Sequence, residues 1–148
     1  MNKILAAFLI LAIFLIGLGV WQSSTKSPTA KINNHEFKLQ IAKTAREKEI
    51  GLSKYENLSK DIGMLFPFEK ADYYSFWMKQ MKFPIDIIYI KDGKIITIYK
   101  SVQPPKSENE SLSIYKPTEP SNMVLEINAG LSQKYKIKKG DKVNLNNI

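Results

Sequence analysis

The sequence predicts an α+β domain that is mainly β: six or seven short strands in an antiparallel sheet, open or barrel-like, with one or two short helices, behind an N-terminal transmembrane helix. Three observations predict it. An uncharged apolar run opens the chain, from Ile4 to Trp21 (ILAAFLILAIFLIGLGVW). Short alternating or β-branched segments, such as Phe37 to Ile41 and Ile85 to Ile90, recur through the remainder. Turn signals such as Asp92-Gly93 separate them.

The opening run has no polar face. Its 18 residues, at about 1.5 Å per residue, make a helix of about 27 Å, close to a bilayer core of about 30 Å. Met1-Asn2-Lys3 is a short positive region before it, and Trp21 suits the headgroup level. Gly17-Leu18-Gly19 is the nearest approach to a small-x-small cleavage site, and no cysteine is available for lipid attachment. The reading favoured is an uncleaved signal anchor over residues 1–21, with the N-terminus inside and the domain outside the cytoplasm; cleavage would leave a secreted domain. Gln22 to Ala30 (QSSTKSPTA) reads as a Ser/Thr/Pro-rich linker.

From Lys31 onward, residues 31–148 are enough for one domain with its own core. The absence of cysteine excludes disulfides, Cys-ligated zinc, iron–sulfur clusters and thiol nucleophiles. The formal charge of +8 favours an anionic lipid or cell-envelope polymer as partner over nucleic acid. Lys134, Lys136, Lys138, Lys139 and Lys142 are either such a patch or a solvated rim. The sequence leaves the oligomeric state open.

Phe37, Leu39 and Ile41 alternate with Lys38 and Gln40, the period of a half-buried strand. Thr44 and Glu47 have the spacing of a capping box, so a short helix starts there, and Gly51 is its natural terminator. Gly63 to Phe66 and Tyr74 to Met78 read as strands separated by a turn containing Pro67. Ile85 to Ile90 reads as a strand buried on both faces. Asp92-Gly93 is a type I′ hairpin turn leading to a return strand, Ile95 to Tyr99. Ser101 to Pro120, with four prolines and three glutamates, reads as a long loop able to cover a pocket. Met123 to Asn128 is a strand, Ala129 to Tyr135 a helical turn, and Gly140-Asp141 turns into a last strand, Lys142 to Leu145.

Several phrases, in order, resemble the family known as domain of unknown function 192. They are Gly51-Leu52, Gly63-Met64-Leu65-Phe66, Phe76-Trp77-Met78-Lys79, Pro84-Ile85-Asp86, the run from Val124 to Gly130, and Gly140-Asp141. The resemblance spans Phe37 to Leu145. It implies a small, often exported domain and supplies no reaction. Two places depart from the family's usual residues: Gln80-Met81 stand where Asn-Thr is usual, and Ser53 and Tyr55 where Met and Arg are usual. The resemblance carries no ligand role onto those positions.

Trp77, Lys79, Asp86 and Glu126 are the candidate ligand-binding residues. Trp77 offers a flat face for stacking on a ring, and in a strand it would share its side with Lys79. Asp86 and Glu126 lie in apolar strands, where a carboxylate is either paired or shifted in pKa. Their alternative role is to fix turns by accepting backbone N–H groups. The leading functional reading is a membrane-anchored, extracytoplasmic binding or interaction module for a small ligand or a cell-envelope polymer. A second is a two-carboxylate hydrolase of a cell-envelope glycan, with Asp86 and Glu126 as acid and base. A third is Cu(I) binding by Met78 and Met81, since thioethers select soft copper, although on a strand these sulfurs would face opposite ways. The single histidine, His35, sits at the domain edge, which argues against a Ser-His-Asp triad, and no phosphate-cradling glycine loop is present. No cofactor or resident metal is expected.

Overall fold

The computed structural model describes residues 26–107 and 109–148. The expected anchor, residues 1–21, lies outside them. Among the described residues, no helix is long and apolar enough to cross a membrane.

Seven strands form one sheet in the order β5-β4-β6-β3-β2-β1-β7. They are β1 (Thr29–Ile32), β2 (His35–Ile41), β3 (Ile62–Asp72), β4 (Ile85–Lys91), β5 (Lys94–Val102), β6 (Ser121–Asn128) and β7 (Val143–Asn146). Two short helices, α1 (Ala45–Ile50) and α2 (Leu131–Lys134), accompany them, with a 3-10 turn over Gly51–Lys54. The sheet curls into a half-barrel. At one end its two edges meet, where Lys94 bridges Lys142 and Val143 N–H donates to Gly93 O at 2.8 Å.

The local signals explain most elements. The Thr44 hydroxyl accepts from Glu47 N–H (3.1 Å), and the Glu47 carboxylate accepts from Thr44 N–H (2.8 Å), closing the capping box. Gly51, at φ +52, then turns the chain out of α1 in a backbone conformation that a side chain disfavours. Asp92 and Gly93 both have positive φ, 47° and 73°, as a type I′ turn requires.

Four expectations are corrected. The sheet is mixed: β2 and β3 run parallel, because α1 carries the chain back before β3 begins. Pro67 makes no turn; β3 runs through it and shifts register against β6 only between Pro67 and Asp72. Tyr74 to Met78 is no strand and has a single bridge, Phe76 to Tyr115. The last two residues of the expected linker, Thr29 and Ala30, begin β1, where Ala30 is fully buried.

Each face of the sheet carries a core. One core lies inside the curl, where Ile95 of β5 and Val143 of β7 join Leu65, Ile88, Leu125 and Ile127. The other lies on the outer face, where Met64, Phe66, Ile87, Tyr89 and Val124 are covered by Leu52, Met78 and Phe83. Strand residues alternate between the two. This alternation decides where each acidic side chain of β4 and β6 points.

Candidate functional site

On β6, Leu125 and Ile127 enter the inner core and Val124 the outer one, so Glu126 points to the outer face. There it lies between Met64 of β3 and Ile87 of β4, its partners across the ladder. A cleft of about 230 Å³ opens above it. Glu126 is 5% exposed and lines that cleft. Burial pushes its carboxyl up to about 8, so at neutral pH it holds a proton.

One wall of the cleft is α1 and the 3-10 turn, which present Lys48, Glu49, Ile50 and Gly51. Gly51 lies against Phe66, where an added Cβ would stand 3.5 Å from the ring. The facing wall is the segment between β3 and β4, which brings Tyr74, Phe76, Trp77 and Lys79. That segment is held by backbone bonds in both directions between Phe76 and Tyr115, 2.9 and 2.8 Å. Its rings pack in sequence: Phe76 edge-on to Phe66 (5.0 Å between centroids), Tyr74 stacked on Phe68 (3.6 Å). The Lys48 ammonium lies over Phe68, 4.4 Å from the ring centre. Trp77 stands at the cleft with 42% of its surface exposed.

The structure thus brings Trp77, Lys79 and Glu126 to one cleft. It places Asp86 elsewhere. On β4, Asp86 alternates with Ile85 and Ile87 and faces the inner side of the sheet with Ile88. It is fully buried and accepts four hydrogen bonds. One oxygen takes Ser101 N–H (2.7 Å) and Gly130 N–H (3.1 Å); the other takes Ser132 N–H (2.8 Å) and Ser132 Oγ–H (2.6 Å). Asp86 therefore ties the end of β5 and the start of α2 to β4, the turn-fixing role that was its alternative. The acid–base pair that a two-carboxylate hydrolase needs is not formed by Asp86 and Glu126, which face opposite sides of the sheet.

The remaining candidates divide clearly. Met78 is buried in the outer core and Met81 is half-buried at the cleft; they belong to a turn closed by Met81 N–H to Met78 O (3.1 Å). Among the described residues, no group of three His, Asp or Glu side chains is placed to hold a metal ion. His35 stacks on Tyr135 at 3.7 Å, with Nε2 3.7 Å from Asp61, and does not line the cleft. Among the described residues, the loop from Ser101 to Pro120 supplies none to the lining of the cleft. It is pinned by Tyr89, whose hydroxyl donates to Tyr115 O (2.7 Å), and by Tyr99, whose hydroxyl donates to Lys116 O (2.6 Å). The lysines at 134, 136, 138, 139 and 142 are all exposed; Lys139 pairs with Glu119 at 3.1 Å.

The sequence reading missed Lys48, Phe66, Phe68, Tyr74 and Phe76 as parts of the cleft. The signal was there as a run of aromatic residues from Phe66 to Trp77. Its meaning depended on which rings turn outward.

The comparisons agree with this fold. A crystal structure of a protein of unknown function from Novosphingobium aromaticivorans DSM 12444 is 30% identical, with a TM-score of 0.69 over 78% of this chain and 83% of the other. A candidate transcription regulator from Sinorhizobium meliloti 1021 is 28% identical, with a TM-score of 0.74 over 82% of this chain and 95% of the other. No curated protein matches the sequence. The DUF192 family, described as Uncharacterized ACR, matches residues 28–145, from the start of β1 into β7, and the chain belongs to that family.

Proposed function

We propose that the chain is a membrane-tethered binding module. Residues 4–21 hold the domain at the outer surface of the cell membrane, and the cleft between Trp77 and Glu126 takes a small ligand or part of a cell-envelope polymer. One observation carries the binding reading: a carboxyl of a residue only 5% exposed lies at the floor of an aromatic-walled cleft that opens beside an exposed Trp77. A mostly apolar cleft with a polar group at its floor is the usual form of a ligand site. The uncharged leader supports the tether.

The test uses the full chain with Trp21→Phe, which leaves Trp77 as its only tryptophan. Wall fragments, neutral sugars and lipid headgroups are titrated while Trp77 emission and melting temperature are followed. At least one class shifts the emission and raises the melting temperature, and Trp77→Ala removes that stabilisation. A panel that leaves both signals unchanged contradicts the reading. Protease added to intact cells digests the domain; protection until the cells are broken contradicts the location.

A further inference from the structure

The cleft pairs a negative group waiting to form with rings that attract positive charge. We infer that its ligand is a zwitterion whose ammonium end, primary or quaternary, enters between the aromatic walls against Glu126 and whose anionic part faces Lys79. The inference rests on the cleft being a ligand site.

Three observations point to a cation inside. Phe66 is buried and Phe68 is covered by Tyr74 and Lys48, but Trp77, 42% exposed, stands at the cleft beside half-buried Tyr74 and Phe76, and the negative faces of such rings attract ammonium groups. The chain already shows this contact, because its own Lys48 ammonium rests on Phe68. Among the described residues Glu126 forms no salt bridge, and Lys48, a cation in the same lining, rests on Phe68. A buried carboxylate is costly, which is why Glu126 keeps the proton in the free chain; a cation beside it reverses that balance. Lys79, exposed and also lining the cleft, supplies the opposite charge for the rest of the ligand. A neutral sugar would use the rings but not this polarity.

The proton balance makes the inference testable. Binding converts the Glu126 carboxylic acid to carboxylate and releases one proton to solvent. The groups around it are Lys48 and Glu49 of α1, Tyr74 and Lys79 of the facing segment, and Tyr89 of β4. Burial pushes the Tyr89 phenol further above its ordinary value, so it stays neutral through this range.

The experiment follows Trp77 emission in the full-length Trp21→Phe chain, held in phosphatidylglycerol nanodiscs. The probes are phosphocholine, phosphoethanolamine, choline, inorganic phosphate and glucose, with phosphatidylcholine vesicles as a separate arm. Phosphocholine binds more tightly than choline, and phosphate and glucose bind far more weakly. Phosphocholine affinity rises about tenfold per pH unit from pH 6 towards 8 and then levels, as one linked proton demands. Glu126→Gln, which copies the neutral acid, loses at least tenfold in phosphocholine affinity at pH 8 while keeping its circular dichroism spectrum. Vesicle binding that exceeds soluble phosphocholine binding identifies a lipid source; the reverse identifies a free or polymer-borne one, and either result supports the zwitterion. A flat or falling pH profile, or full affinity in Glu126→Gln, overturns the inference. If glucose moves Trp77 and the ammonium probes do not, the cleft remains a ligand site and the zwitterion is excluded. If no probe moves Trp77, both readings fall.

Discussion

Asp86 and Glu126 are one step apart across the β4–β6 ladder, where Asp86 pairs with Ile127 and Ile87 pairs with Glu126, yet they point to opposite faces of the sheet. That single step separates two kinds of buried acid. Asp86 is surrounded by donors, whereas Glu126 sits between Met64 and Ile87 at the floor of the cleft. Asp86→Asn places an NH₂ group against N–H and O–H donors and removes charge-assisted bonds, so it destabilises the domain by about 3 kcal/mol or more. Glu126→Gln keeps the shape and neutrality of the acid and is nearly silent at pH 6. Chemical denaturation of both variants checks the contrast; equal losses would contradict it.

Stability falls with pH because of Glu126. Its folded value, about 8, lies above the unfolded value of 4.5, so the folded state holds the extra proton between them. The sign follows: the contribution is complete below pH 4.5, declines as pH rises, and is gone above about 8. Each unit of difference is worth roughly 1.4 kcal/mol, an upper bound for a group beside an open cleft. Melting temperature measured from pH 5 to 9 therefore declines more steeply in the native chain than in Glu126→Gln. Parallel curves would show that Glu126 ionises normally.

Gly63 has no room for a side chain. A Cβ there would stand 2.9 Å from Leu125 Cδ1, 3.1 Å from the Glu126 carbonyl oxygen and 3.2 Å from Ile127 Cγ2. The backbone contact cannot yield without moving β6 against β3. Gly63→Ala costs about 1–3 kcal/mol, the usual range for overpacking, and Gly63→Val costs more. Because β6 carries Glu126, both also weaken ligand binding in titration calorimetry. An unchanged melting temperature in Gly63→Ala would contradict the close approach.

Tyr89→Phe tests how the long loop is held. Its hydroxyl reaches Tyr115 O at 2.7 Å and Tyr74 O at 3.3 Å, joining the loop to the aromatic segment of the cleft. Removing it leaves two carbonyls with one donor fewer, a cost of about 1 kcal/mol. Limited proteolysis then cuts faster within residues 103–120, with little change elsewhere. Unchanged cleavage there would mean that the hydroxyl does not secure the loop.

Features set by near neighbours in the chain were legible in advance. Thr44 and Glu47 announce a helix start, Asp92-Gly93 a tight hairpin, and Ile85 to Ile90 a strand covered on both faces, because each depends on local backbone geometry or composition. The parallel pairing of β2 with β3 depends on α1 folding the chain back, which no local pattern states. Pro67 looked like a turn because proline lacks an N–H; β3 accommodates it beside the register shift that ends its regular pairing. Trp77, Lys79 and Glu126 were identified as site candidates from their chemistry alone. Asp86 shared that chemistry, and only the face on which its strand presents it separates the two acids.

The most direct measurement is the titration of Glu126 itself, by carbon NMR of chain labelled at glutamate side-chain carboxyls, with Glu126→Gln assigning the signal. The account predicts a midpoint near 8 in the free chain and a fall of that midpoint when phosphocholine is added. A midpoint at the ordinary glutamate value in the free chain, or one that phosphocholine leaves in place, would contradict it.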